Sequence, residues 1–216
     1  MDTFIFILEI VGLTAFAITG ALDSIESRMD MLGVLIMGVV TSIGGGITRD
    51  IILGQIPRSF ADPFYFYASL IISLATFAFV YYKRNIKGEN ISNYFDDILT
   101  ITDAIGLAVF SILGMNVAYS ISLEFSPILY LVCGTLTACG GGILRDIMSQ
   151  KLPYVFDRNI YASASILGSV IYFLLRRTPV AQPTSMIISI LIIFIVRYIA
   201  DRKNLQLPKI RTNNDI

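Results

Sequence analysis

The residues best placed to do chemistry in this chain are glycines and charged groups set inside otherwise apolar runs. GGGITRDIILGQIPRSF at 44–60 puts Gly44, Gly45 and Gly46 ahead of Arg49 and Asp50, and GGGILRDIMSQKLPYVF at 140–156 does the same with Gly140, Gly141, Gly142, Arg145 and Asp146. Each glycine disfavours helix by about 1 kcal/mol relative to alanine. Three in succession predict a bend where backbone amides lose their partners, leaving the carbonyls of residues 40–43 and 136–139 facing a cavity. Carbonyls freed in this way replace the water around a cation, so transient K⁺ near Thr41 and Thr137 is the chemistry expected of them. The same glycines would also let two helices approach closely, as small residues do in membranes. The duplicated triplet, followed each time by Arg-Asp, favours a pathway, because charge inside a span is functional by default.

Arg49 and Asp50 are neighbours about 100° apart on a helix, which predicts that they do not face each other. Arg49 lies roughly 7 Å beyond its triplet in one direction, and Arg145 lies as far in the other, because the two spans run oppositely. An Arg49–Asp146 pair would have to reach roughly 15 Å and is excluded as a simple contact. Acids at matching depth are Glu9 for Arg49 and Asp103 for Arg145. The expectation is two clusters, Glu9–Arg49 outside and Asp103–Arg145 inside, with Asp50 and Asp146 nearby, bracketing the glycines. Such clusters would either gate a pore, since an unpaired arginine repels cations and a neutralised one does not, or simply hold helices together.

The elements that position these groups are membrane spans. The chain has 216 residues, 55% hydrophobic and 15% charged, with mean hydropathy +0.73, far too apolar for a soluble domain of this size. Apolar runs near 3–22, 31–53, 64–82, 98–119, 127–149, 159–175 and 184–200 each approach the roughly 20 residues a helix needs to cross a bilayer. They lack the alternation of barrel strands, so the fold class is all-α integral membrane with seven transmembrane helices. With the N-terminus outside, the cytoplasmic side would hold Arg28, Lys83, Arg84, Lys87, Lys151, Arg158, Arg202, Lys203, Lys209 and Arg211, and the other side only Arg58, Arg176 and Arg177. This bias places the C-terminus in the cytoplasm and the chain as a multi-pass protein of the cell membrane.

The duplication extends beyond the motif. Glu9, Gly12, Phe16 and Gly20 align with Asp103, Gly106, Phe110 and Gly114, and YAS at 67–69 returns at 161–163. Two three-helix repeats therefore occupy 1–82 and 98–177, joined by a cytoplasmic linker at 83–97; a seventh helix at 184–200 and a tail at 201–216 follow. Three is odd, so the second repeat enters from the opposite side. Inverted repeats with interruptions at matching positions mark proteins that move ions or solutes near the midplane. The Gly-Phe-Gly stripes predict helix packing, Pro57 and Pro153 the ends of the motif helices, and Tyr65, Tyr67, Tyr81 and Tyr82 interfacial anchoring. Asp23 and Asp30 are expected to be solvated loop charges.

Paired GGGxxRD motifs, each followed by a proline, in a seven-helix inverted-repeat chain of this length resemble the prokaryotic branch of the trimeric intracellular cation channel family, also catalogued as a glycine transporter domain. The resemblance covers the chain to about residue 200. It implies a homotrimer in the lipid bilayer with one pore per subunit, lined by the second and fifth helices kinked at the triplets, and conducting monovalent cations such as K⁺. It does not carry over the regulation linked to longer tails in animal members.

Other functions have little support. The chain has no histidine, no metal-ligand spacing, no nucleophile with a base and no phosphate loop after a strand, so neither an enzyme nor a metal or other cofactor is expected. Cys133 and Cys139 are spaced as core residues. The balanced charge, without a basic block, gives no nucleic-acid partner. The competing reading is a secondary transporter of a small zwitterion such as glycine, whose carboxylate would sit at the half-helix N-termini.

Overall fold

The structure, a computed structural model, describes residues 2–86, 92–157, 160–203 and 205. Lys87, Arg158, Lys209 and Arg211, part of the charge bias above, lie outside the described residues, as do parts of the linker and the tail. The described residues are helical and contain no strand. The helices are α1 (Asp2–Glu26), α2 (Met31–Ile52), a single turn α3 (Arg58–Ala61), α4 (Phe64–Tyr81) running into a π-turn (Tyr82–Ile86), α5 (Ser92–Ile121), α6 (Pro127–Met148), a single turn α7 (Tyr154–Asp157), α8 (Ala162–Leu175) and α9 (Gln182–Arg202). Six are long and apolar enough to cross a membrane, and α8 is a shorter apolar helix. At 14 residues, α8 begins three residues later than the run at 159–175 predicts.

Local sequence explains where the motif helices start and stop. Asp30 is the N-cap of α2, its carboxylate accepting from the Gly33 amide at 2.8 Å. It is exposed, as expected of a loop charge, and it caps the helix as well. Ser126 caps α6 ahead of Pro127, which suits the first helical position. Both motif helices end, ahead of Pro57 and Pro153, at a left-handed residue: Gly54 at φ 66° and Gln150 at φ 56°. The prolines thus precede the short α3 and α7 instead of terminating α2 and α6. Glycine reaches the left-handed region without strain and glutamine does not. Gln150→Gly is accordingly expected to raise stability by about 0.5–1 kcal/mol, read as a small upward shift of the melting temperature in detergent.

The packing has an approximate two-fold relation between the halves. α1, α2, α5 and α6 form the centre, where α1 meets α5 and α2 meets α6; α4 covers α1 and α2, and α8 covers α5 and α6. Phe16 and Phe110 meet on the axis with ring centroids 5.3 Å apart. A side chain at Gly12 would touch Phe110, and one at Gly106 would strike Phe16. This crosswise pattern is the antiparallel arrangement expected of inverted repeats. α9 packs chiefly on α5 and α8. The outer face of α4 presents Phe66, Tyr67, Ile71, Leu74 and Phe79, the apolar surface lipid or a neighbouring subunit would cover.

Candidate functional site

The glycine triplets sit where α2 and α6 cross. Both helices run unbroken through them, so the expected interruption is absent. What the glycines permit is contact between backbones. A Cβ at Gly45 would collide with the carbonyl of Thr137, and one at Gly141 with the carbonyl of Thr41. The two threonine carbonyls expected to face a cavity are therefore packed against the opposite helix. Intrinsic propensity lost to tertiary contact: Gly45 and Gly141 remove the methyl groups that would hold the helices apart, and the close approach keeps both helices intact. The outer layer repeats the theme, with Gly20 under Thr41 and Gly114 under Thr137.

Gly46 differs. A Cβ there would meet nothing nearer than Arg49 Nη2 at 3.8 Å, and Gly46 lines a cavity of about 70 Å³ with Glu9, Ser42, Ile43, Arg49, Asp50, Tyr65, Phe110 and Thr137. A second hollow of about 510 Å³ adjoins it through Glu9 and Arg58, reaching Thr3, Asn116 and Ser120. Together they form a vestibule lined from both halves of the chain, with Phe110 and Thr137 among its walls.

Each arginine pairs first with its own sequence neighbour. Arg49 Nε donates to Asp50 Oδ1 at 2.8 Å, and Arg145 Nε to Asp146 Oδ1 at 2.8 Å. The prediction that these neighbours do not face each other is corrected: the 100° separates Cβ directions, and the long arginine side chain doubles back across it. The second carboxylate oxygen of each aspartate accepts a backbone amide beyond the proline, from Arg58 at 3.0 Å and from Tyr154 at 2.8 Å. Asp50 and Asp146 therefore tie each motif helix to the single turn that follows it.

The acids of α1 and α5 behave unequally. Glu9 pairs with Arg58 Nη1 at 2.5 Å and accepts from the Tyr65 hydroxyl at 2.6 Å. Its predicted partner was Arg49; α3 folds Arg58 back into that place. Tyr65, expected as an interfacial anchor, is buried and joined to this cluster. Asp103 meets Arg145 at 3.4 Å, as expected, and also accepts from Tyr161 at 3.3 Å. A further cation enters from α9, with Arg197 Nη2 3.9 Å from Asp103 and 3.3 Å from Asp201. Arg145 is wholly buried beneath Tyr154, whose ring centroid lies 4.9 Å from the guanidinium carbon. Tyr161, the counterpart of Tyr65, stands 3.2 Å from the point where a Gly142 Cβ would be. The site of Asp103 and Arg145 is tightly packed, whereas its counterpart at Glu9 and Arg49 opens onto a cavity.

Asp23 also departs from expectation. It lies within α1, 1% exposed, and pairs with Lys151 at 2.8 Å and Ser149 at 3.1 Å, joining the first repeat to the loop after α6.

A family model described as "Glycine transporter" matches residues 6–81 and 100–177. The UPF0126 inner membrane protein YadS of Escherichia coli K12 is 34% identical over 203 residues, covering 93% of each chain. Among solved structures, a prokaryotic TRIC channel crystallised in 0.5 M KCl superimposes with a TM-score of 0.83 at 33% identity, covering 96% of this chain and 100% of that one. The TRIC trimeric intracellular cation channel orthologue from Rhodobacter sphaeroides gives 0.82 at 30% identity, covering 93% and 98%. The chain belongs to the TRIC family. It is thereby a multi-pass, all-helical membrane protein, as its composition predicts. The two charged clusters of this TRIC-family chain hold four residues the sequence left unassigned or assigned elsewhere: Arg58, Tyr65, Tyr161 and Arg197. The YAS segments align Tyr161 with Tyr67, two residues past Tyr65, so the match of Tyr65 with Tyr161 appears only from their bonds to Glu9 and Asp103. Arg197 has no repeat partner and gave no signal.

Proposed function

We propose that this TRIC-family chain is a cation channel, permeable to K⁺, with one pore in each subunit of a homotrimer. The pore follows the seam of α2 and α6, entering by the vestibule of Glu9, Arg49 and Asp50 and leaving past Arg145 and Asp103. The two three-helix units at 1–82 and 98–177 form its two halves, with the N-terminus outside and the C-terminus cytoplasmic. The observation that carries this reading is the asymmetry of two related charged sites on one helix crossing, one open to a cavity and the other packed shut. Each arginine beside the seam is matched by an acid, so the path presents no net positive barrier. The high likeness to TRIC cation channels supports the same reading. In this reading Gly46 and Gly142 would face the route, while Gly45 and Gly141 would hold the two lining helices together. That the structural neighbours are channels supports a reading that is not enzymatic.

Recording of the purified protein in a planar bilayer under a KCl gradient tests this. Discrete openings reversing near the K⁺ equilibrium potential are expected. The vestibule also carries both charge signs, as a zwitterion site would need, and the matching family model is described as a glycine transporter. Saturable, ion-coupled uptake of labelled glycine by folded protein that is silent in the bilayer would establish that second reading instead.

Arg58 is the exposed member of the outer cluster, 58% exposed against 12% for Glu9. Removing it leaves the Glu9 carboxylate bonded to Tyr65 but electrically unmatched. Arg58→Ala is expected to raise unitary cation conductance about two-fold at 50 mM salt, with the gain vanishing near 1 M, where the screening length falls to about 3 Å.

A further inference from the structure

The seventh helix is not an inert addition to the duplicated core. Arg197 is 2% exposed and lies between two acids, Asp103 on α5 and Asp201 one turn further along α9. Its guanidinium also sits over the Tyr161 ring, 5.2 Å from the centroid. The contacts are incomplete in a particular way. Arg197 Nε and Nη2, and Asp103 Oδ2, have no hydrogen-bond partner among the protein's groups, although all three are buried. Asp201, the closer acid, is anchored to α5 by the Thr100 hydroxyl at 3.0 Å. Nearby, Arg202 joins Asp97 at 2.9 Å at the surface. A buried cation shared between two acids, and well bonded to neither, has two alternative arrangements of similar standing rather than one optimum.

We propose that Arg197 is the latch of the inner gate. In the closed arrangement its charge is shared with Asp103, which holds Tyr161 over Gly142 and shuts the inner half of the α2–α6 seam. In the open arrangement Arg197 pairs wholly with Asp201, Asp103 turns toward the pathway, and Tyr161 is released. The first repeat has no equivalent of α9, and its corresponding acid is held by the exposed Arg58. This is why the outer site stands open while the inner one is shut. The inference rests on the α2–α6 seam being the conducting route, and its readouts separate the two ideas.

The test uses the full-length purified protein with Cys133→Ala, which leaves Cys139, buried on α6 beside the triplet, as the only thiol. Two readouts are taken: single-channel open probability, and the rate of Cys139 alkylation by a small maleimide. Arg197→Gln is expected to raise both about ten-fold without changing unitary conductance or reversal potential. Asp201→Asn leaves Arg197 to Asp103 alone and is expected to lower both about five-fold. Asp201→Asn removes a partly exposed acid, so it provides the test even if Arg197→Gln does not fold. Movement of the two variants in opposite directions supports the latch. Unchanged readouts in folded variants, or for Asp201→Asn a rise, overturn it. Opposite shifts in alkylation with a bilayer silent for every variant would uphold the latch and overturn the channel reading. Clear K⁺ openings with neither readout shifted would do the reverse.

Discussion

Gly45→Ala and Gly141→Ala are each expected to deplete the folded protein, while Gly46→Ala is expected to leave it intact. By propensity alone all three should stabilise their helices by about 1 kcal/mol. At Gly45 and Gly141 that gain is overwhelmed, because the added methyl would overlap a backbone carbonyl of the opposite helix, which no side-chain rotation relieves. Separating α2 from α6 enough to admit it would open the central packing, a penalty of about 3 kcal/mol or more. At Gly46 the methyl enters the vestibule and meets only the end of the Arg49 side chain. Size-exclusion profiles and melting temperatures in detergent check the contrast: loss of the monodisperse peak for Gly45→Ala and Gly141→Ala, and an unchanged or slightly raised melting point with reduced conductance for Gly46→Ala. Equal tolerance at all three positions would contradict the crossing described here.

The second large effect separates the two arginines. Arg145→Ala leaves Asp103 and Asp146 buried, with Arg197 as the nearest remaining cation and 3.9 Å from Asp103. Breaking a buried pair by removing one partner costs about 3–5 kcal/mol, enough to exhaust the margin of many folded proteins. Arg145→Ala is therefore expected to yield little folded material, with Arg145→Lys recovering part of it by restoring charge without the forked geometry. Arg49→Ala removes the same side chain from a site that opens onto a cavity, where water can solvate Asp50. It is expected to fold with a melting temperature within a few degrees of the parent and to show altered open probability. On the proposed route, gating and helix-holding, which the sequence left as alternatives for both arginines, would be divided between them: Arg145 would hold the helices, and Arg49 would face the path.

The pattern of what could be read from the sequence follows the range of each interaction. Hydropathy is summed over each span, and the repeat is explicit in the letters, so the helices and their inverted order were legible. Depth along the helix also sufficed for Asp103 and Arg145, because both lie on regular spans at the same level. It failed for Glu9, whose partner is carried by the single turn α3, a fold-back that no periodicity announces. Asp23 was misplaced because the apolar run stops near residue 22 while α1 continues to Glu26, carrying the acid into the protein. The glycine triplets show the limit most clearly: their low helix propensity is real, and the structure uses it as absence of volume rather than as flexibility. Arg197 is one charge near the end of an apolar run, which is ordinary for a membrane helix. Only packing on α5 and α8 reveals what it faces.

The crossing of α2 and α6 carries an implication for how such a chain could arise. Gly45 receives Thr137 and Gly141 receives Thr41, so each half presents both the recess and the carbonyl that fills it. A single copy of the unit already contains a surface complementary to itself when inserted upside down. An ancestral protein of one repeat, synthesised in both orientations, would form an antiparallel homodimer through this contact, and gene fusion would then fix the two topologies in one polypeptide. Once fused, the copies would be free to diverge, and the Glu9 and Asp103 sites differ in that way. Expressed as separate fragments, the two halves should each be insufficient alone and reassemble when made together.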